Sequence, residues 1–302
     1  MEVEPIVFRH HPIIGTFVEI AVFADGDVAE ELDRLIIDEM TRLEGILSAF
    51  DPKSELSRWM RGEVDVCSPE LQRILVEANE WERRSSGAFT TRSGLFTDLY
   101  RRAATDGRLP SDDEIDLVVR RAGEPAYDIV EGRLHARQNC EGLNLNAFAK
   151  GWIVDRASDL ARSRHGDVAI VVDAGGDLRY EGHDELIVGV ENPLRPYDNE
   201  PPLARIRLTT GGLATSGGAR RGVQVDGTWI SHLVDPRTGR PVDQHASITI
   251  VAPDTATADV VATICSAMSP PEALEFATSA DCGCVVVDHQ GRLSHNDLEF
   301  LT

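Results

Sequence analysis

The sequence predicts an α+β fold built as one continuous body, 1–302, with mixed sheets and flanking helices. Three observations predict it. Segments of helical period and of strand alternation are interleaved without the regular strand–helix repeat of an α/β chain. Short strands separated by Gly-rich turns crowd the middle of the second half, and helical segments lie on both sides of them. No low-complexity tract, internal repeat or convincing linker divides the chain.

Taken in order, Gly15 to Phe23 alternates like a strand, with Phe17, Glu19, Ala21 and Phe23 opposite Val18, Ile20 and Val22. Val28, Leu32, Leu35, Ile36, Met40, Leu43 and Leu47 then follow a helix period. A second helix starts at Pro69, with Ser68 as its cap, and runs toward Gly87. Ser111 with Glu114 is a capping box for a third, which ends near Gly123. Tyr127 to Ala136 reads as a hairpin turning at Glu131 and Gly132. A helix follows Lys150 to about Ser163, then a strand from Val168 to Val172. Further strands are expected at Glu185 to Val190, Arg205 to Leu208, Gly222 to Val225 and Ser247 to Val251. Asn192 to Pro202 contains four prolines and reads as a loop. Helices near Ala256 to Met268 and Pro271 to Thr278 precede a last strand, Cys284 to Asp288.

Composition bounds the function. Hydrophobic residues make up 42% and charged residues 27%, which is ordinary for a globular chain with a sizeable core. The formal net charge of −21 argues against nucleic acid and anionic membrane as partners. An anionic substrate therefore needs a locally positive or metal-bearing pocket. No apolar stretch approaches the ~20 residues of a membrane span. The start, MEVEPIVFRHHP, has no apolar run suited to a signal peptide, so the cytoplasm is the default, the alternative being an exported form whose signal is missing from this chain. Five cysteines in irregular spacing do not form a disulfide framework, and Cys282 and Cys284 read as small buried thiols rather than a redox or metal pair.

Five segments have the residue types that chemistry needs. The chain holds only two lysines against twenty-eight arginines, and one of them, Lys150, lies in LNLNAFAKGWIVDRASDL (143–160), where a loop enters a helix. An ammonium is a compact point charge suited to a phosphate or a proton transfer, although a surface lysine fits the position as well. Asp173-Ala-Gly-Gly-Asp177 follows a buried strand, and its glycines would admit a ligand close to backbone amides, or simply make a tight turn. Thr210 to Gly218 reads as a hydroxyl- and glycine-rich loop between strands, without the lysine of a P-loop. His232 and Asp235 precede a Pro-anchored turn, which leaves both a proton-transfer role and a plain β-turn open. Asp259 and Thr263 are four apart on one helical face; they suit a hard cation such as Mg²⁺, or equally a helix-dipole carboxylate beside a core-edge threonine.

In this order the segments resemble the ApbE-type flavin transferases, the FAD:protein FMN transferase family, from Gly15 to roughly Ala280. The strings that carry the resemblance are AFDPKSELSR (49–58), AKGWIVD (149–155), AGGDLR (174–179), ATSG (214–217), HLVDPRTGRPV (232–242) and ADVVAT (258–263). The resemblance implies a FAD-filled cleft, Mg²⁺ at the pyrophosphate, and transfer of FMN to a Ser or Thr hydroxyl of a flavoprotein with release of AMP. Carried over by position, Asp259 and Thr263 would hold the metal with a backbone carbonyl near Ala147. Lys150 would face phosphate or AMP, His232 would be the base, and Asp235 would complete the catalytic set by orienting its turn. The nucleotide and flavin would contact Ile14, Met60, Ala88, Phe89, Thr90, Asn144, Asp173, Gly175, Gly176, Asp177, Thr215, Ser216 and Gly217. Ile14, Met60, Thr90 and Asn144 to Ala147 depart from the family pattern, and the loss of two carboxylates among them should alter how the adenine and ribose end is held. Two alternatives are a Mg²⁺-dependent FAD pyrophosphatase and a non-catalytic FAD-binding protein.

Overall fold

The chain opens with a hairpin of β1 (Ile6–Ile13) and β2 (Thr16–Phe23), of which the alternation predicts only β2. Ile14 and Gly15 turn it with φ of 46° and 72°. Two-residue hairpin loops favour positive φ, which glycine adopts freely and isoleucine only under strain. The computed structural model describes residues 4–138, 140–197, 199–218, 221–296 and 300–301, the last two by backbone alone.

The helices of the first half follow their caps. Asp25 accepts from Val28 N at the start of α1 (Gly26–Leu47), which buries Leu32, Ile36, Met40, Leu43 and Leu47 along one face. Ser54 caps the short α2 (Glu55–Met60), and Ser68 caps α3 (Pro69–Arg84), whose first residue is the tolerated proline. Next comes α4 (Gly94–Asp106), which the sequence reading does not contain; α5 (Asp112–Ala122) follows with its Ser111–Glu114 capping box. The hairpin of β3 (Tyr127–Val130) and β4 (Arg133–Ala136) turns at Glu131 and Gly132, both at positive φ.

In the second half, α6 (Asn146–Arg164) leads into β5 (Ala169–Ala174) and β6 (Asp177–Glu181), joined through Gly175 and Gly176. Then come β7 (Leu186–Val190), β8 (Ala204–Leu208), β9 (Gly211–Gly217), β10 (Gly222–Val225) and β11 (Thr228–Ser231). The short β12 (Val234–Asp235) and β13 (Arg240–Pro241) precede β14 (Ser247–Ala252), α7 (Thr255–Ser266) and α8 (Pro270–Ser279). The strand expected last is β15 (Gly283–Val287), and β16 (Leu293–His295) and β17 (Phe300–Leu301) come after it. Of the 192–202 loop, residue 198 lies outside the described residues.

Eight strands form the main sheet in the order β1-β2-β5-β6-β9-β14-β15-β16, and every described pairing is antiparallel. The segment 210–218, expected as a loop, is therefore a correction: most of it is β9, hydrogen-bonded on both sides near the sheet's middle. Its glycines have a packing cause. A Cβ on Gly212 would overlap the backbone of Asp254 and Thr255 at the start of α7.

Alternation divides the sheet between two cores. Val18, Ile20 and Val22 on β2, Ile170 and Val172 on β5, and Cys284 and Val286 on β15 join α1, α6, α7 and α8 in the largest cluster. Leu178, Tyr180, Leu213, Val285 and Val287 face the other way, against the small sheet of β7, β8 and β17. A third cluster, formed by α4, α5, β10 and β11, stands apart from both.

Candidate active site

A cleft of about 790 Å³ runs between the α6–α7 side of the main sheet and the α4 cluster. That volume is in the range of small-molecule and cofactor sites. Its floor is the Gly175–Gly176 turn, Asp177 and the Thr215–Gly217 end of β9; α6 supplies Asn146, Ala147 and Lys150, and α7 supplies Asp259 and Thr263. Asn144, Ala88, Phe89, Thr90, His232 and Arg221 complete this part of the lining.

The packing of α6 against α7 sets the charged centre. Gly151 lets the two backbones touch: a Cβ there would lie 2.6 Å from the Thr255 carbonyl carbon and 2.9 Å from the Ala256 Cα. The Gly151 N–H donates to Asp259 Oδ2 (3.2 Å), and Asp155, one turn further along α6, accepts from Thr255 N (2.9 Å) and Ala256 N (2.8 Å). Asp155 thereby caps α7 from a neighbouring helix, a role absent from the sequence reading. Burial pushes its carboxyl up to about 6 despite these two donors.

Lys150 bonds to Asp177 and lies 3.9 Å from Asp259 Oδ1. Burial works against its ammonium, but the two carboxylates outweigh burial and hold its pKa above the usual value. Asp259 moves upward, through burial first and the nearby Asp177 charge second. The Thr263 hydroxyl, one turn from Asp259, makes no hydrogen bond among the described residues. A carboxylate, a free hydroxyl and the nearby Ala147 backbone are hard oxygen donors, the type that Mg²⁺ takes in small numbers before phosphate and water complete its shell. Among the described residues, no group of three or more His, Cys, Asp or Glu side chains could hold a metal by itself. The donor set therefore fits a cation shared with a phosphate ligand rather than a closed structural site.

His232, also in the lining, sets its Nδ1 3.1 Å from the Arg221 carbonyl. Because a carbonyl only accepts, Nδ1 has the proton and the neutral ring leaves Nε2 as an acceptor. Enclosure by the cleft, then the Arg221 and Lys150 charges, lower the His232 pKa from its ordinary value. The hydrogen bond to Arg221 O opposes the shift and does not cancel it. At the floor, Gly175 and Gly176 have φ of 68° and 98°, and Asp173 Oδ1 accepts from Gly176 N (2.9 Å). Burial raises the Asp173 carboxyl, with Asp177 and Glu19 adding to it. Thr215 N donates to Gly176 O (3.2 Å), which ties β9 to this turn.

Three expected site residues lie outside the described lining of the cleft. Ile14 is at the β1–β2 turn, its N–H toward Glu44 (3.3 Å), and Met60 ends α2, its carbonyl accepting from Cys140 Sγ (3.1 Å). Neither is among the described residues lining the cleft. Asp235 is not among them either: its carboxylate is taken up by Arg237 at 2.9 and 3.0 Å, which holds the turn that follows His232. Thr90 does line the cleft, and its hydroxyl donates to Glu82 (2.8 Å), so a carboxylate from α3 stands behind the residue where the sequence has lost one. The reading missed Phe17, Phe50, Arg101 and Arg221. The first two are 44% and 54% exposed at the cleft, and the Arg101 guanidinium lies 5.5 Å from the Phe50 ring centre. Phe50 lies inside AFDPKSELSR, the one signal that could have pointed to it.

Comparison with known proteins gives a consistent result. The ApbE family model matches residues 14–286. An FAD:protein FMN transferase of Vibrio cholerae is 27% identical over 270 residues, 83% of this chain and 78% of the relative. One of Haemophilus influenzae is 24% identical over 287 residues, 87% and 81% of the two chains. Among solved structures, the ApbE protein of Thermotoga maritima matches with a TM-score of 0.86 at 24% identity over 97% of each chain. The apo flavinyl transferase ApbE of Pseudomonas stutzeri matches with a TM-score of 0.78 at 20% identity, over 98% of this chain and 97% of that one. The structural likenesses show a shared fold.

Proposed function

The chain belongs to the ApbE family, and from that premise we propose that it is a transferase moving FMN from FAD to a Ser or Thr hydroxyl of an acceptor flavoprotein, with residues 1–302 acting as one unit. The observation that carries the reading is the cleft lined together by Lys150, Asp177, Asp259 and a neutral His232, with a volume large enough for a cofactor.

In this reading the acceptor oxygen attacks the phosphorus on the FMN side of the FAD pyrophosphate. The bond from that phosphorus to the bridging oxygen breaks, and AMP leaves with the electron pair. The acceptor's proton passes to His232 Nε2, which is free because Nδ1 is committed to Arg221 O. Lys150 and Arg221 place positive charge where negative charge develops, inside a net-acidic protein that would otherwise repel the dinucleotide. Asp259, Thr263 and the Ala147 carbonyl would hold Mg²⁺, which when bound supplies charge neutralisation at the pyrophosphate. Asp177 positions Lys150, and Asp155 with Gly151 positions the helix that bears Asp259.

The test is intact mass spectrometry of a Ser/Thr acceptor domain from a covalent flavoprotein, incubated with this protein, FAD and Mg²⁺. A gain equal to phosphoester-linked FMN, lost on chelation, is the expected result. Unmodified acceptor with FAD converted to FMN and AMP would make the protein a pyrophosphatase, and intact FAD would leave a binding protein.

A further inference from the structure

Beside the cleft lies a second chamber of about 400 Å³, separated from it by a shared wall that includes Ser216, Gly217, Leu233 and Val242. Its outer side is apolar and open. Leu194 and Trp229 are 48% and 47% exposed there, and the indole is held by donating Nε1–H to the Gly218 carbonyl (2.9 Å). His245 belongs to the lining, only 8% exposed, and both of its ring nitrogens are buried with no partner. Buried polar groups are nearly always hydrogen-bonded, so two orphaned nitrogens on one ring in the chamber's wall point to a partner that a turn of the ring would meet there.

The chemistry of the filler follows from the ring. Burial, and secondarily His289, push His245 down to about 4, so at neutral pH it offers one N–H and one lone pair. Among the described residues, the other ionisable side chains lining the chamber, His289 and Asp243, pair with each other at 3.0 Å, and no lining cation is left to attract an anion. One donor and one acceptor amid apolar walls complement a peptide unit. Position agrees, because Leu233 in the shared wall directly follows His232, so a chain lying in the chamber passes next to the proposed base.

We propose that this chamber is the subsite for the acceptor polypeptide, taking an uncharged peptide unit and a small or apolar side chain that flank the reacting hydroxyl, with the His245 ring turning toward the chamber to pair with the peptide backbone. The inference rests on the FMN-transfer reading and adds where the acceptor lies.

The probe is a library of capped pentapeptides with a central threonine and uncharged residues elsewhere, given to the full-length protein with FAD and Mg²⁺. His245→Phe removes both nitrogens at similar bulk, and Trp229→Ala opens the exposed wall without touching the core. The peptide KM should rise about tenfold in each, the scale of one or two lost neutral hydrogen bonds or an aromatic contact. The affinity for FAD, read by flavin fluorescence, should stay within about twofold, since neither residue lines the FAD cleft. The ¹³Cε1 histidine resonance that His245→Phe deletes should move in the unsubstituted protein when peptide is added. Equal peptide KM in all three proteins overturns the subsite and leaves the transfer reading standing. If the unsubstituted protein modifies no peptide, the transfer reading is what fails, and the resonance decides the chamber: movement keeps it as a peptide site, and a static signal overturns it.

Discussion

Gly151→Ala is the sharpest test of how α6 and α7 build the centre. The added Cβ would lie 2.6 Å from the Thr255 carbonyl carbon and 2.9 Å from the Ala256 Cα, with the Thr255 oxygen nearer still. All of these are backbone atoms, so no rotamer relieves the overlap. Reaching ordinary contact near 3.5 Å requires the helices to part by about 1 Å. That movement stretches the 3.2 Å bond from Gly151 N to Asp259 and shifts Asp259 against Lys150. Overpacking of this type costs about 1–3 kcal/mol, a fall in melting temperature of roughly 2–10 °C for a chain of this size. Turnover should suffer more, since a 1 Å misplacement at a reacting centre can cost about 10²-fold. The matched control is Gly45→Ala on α1, where a new Cβ meets nothing within 4 Å and helix propensity gains up to about 1 kcal/mol. Thermal unfolding without ligand and AMP release from FAD in the presence of acceptor are the two assays. A Gly151→Ala protein that melts and turns over like the unsubstituted chain would refute the account of the helix contact.

Other outcomes follow from the same geometry. Asp155 has its folded-state pKa raised to about 6 from 3.8, so the folded protein holds this proton more tightly than the unfolded chain. Its contribution to stability is therefore complete below about pH 4 and is lost as pH rises through 6; Asp155→Asn should flatten the difference in urea stability between pH 4 and 7.5 by up to about 3 kcal/mol. The acidic limb of kcat/KM should have its midpoint below the ordinary imidazole pKa and vanish in His232→Gln, with a loss on the order of 10²–10⁴ in rate. A limb retained in His232→Gln removes the base assignment. Lys150→Arg keeps the charge but replaces a point donor with a planar fork between two carboxylates, and should cut single-turnover rates by at least about tenfold while the melting temperature stays within a few degrees. Asp259→Asn should abolish the Mg²⁺-dependence of FAD turnover together with most of the turnover; activity that still responds to chelation would move the metal site elsewhere.

Local rules made most elements legible. Ser68 and Ser111 each accept from the backbone three residues on, and the Ser111–Glu114 box appears as its sequence pattern requires. Signals failed where a tertiary partner set the conformation. Thr210 to Gly218 carries glycines and hydroxyls that read as a loop, yet Gly211 has a φ of 123° and lies against the Ala252 carbonyl, Gly212 is small because the start of α7 passes over it, and the strand is held by β6 and β14 rather than by its own propensity. In β1, exposed and polar positions mix with apolar ones at the sheet's edge, so no clean alternation marks it. The third core cluster was half legible: Leu95, Phe96, Leu99, Tyr100 and Ala103 are buried along α4 at helical spacing, but Ser93 caps nothing and Gly94 opens the helix, so no start signal announces it.

The same distinction runs through the site. Asp259 and Thr263 were legible as a pair because helix geometry alone places positions four apart on one face. Lys150 stood out because the chain spends a scarce residue type there, and its two carboxylate partners supply the reason: an ammonium held above its usual pKa by Asp177 and Asp259 stays charged inside a cleft that would otherwise discharge it. Arg221 had no such mark among so many arginines, and its place beside His232 comes from the strand connection after β9 rather than from any spacing. Asp155 was in plain view inside AKGWIVD, but its work is done on Thr255 and Ala256, about a hundred residues downstream. Ile14 and Met60 differ again: positions carried over from a family pattern line a cleft only if the backbone between them and that cleft is kept. Here Ile14 is drawn to Glu44 on α1 and Met60 to Cys140, so both support the walls of the body rather than the cleft.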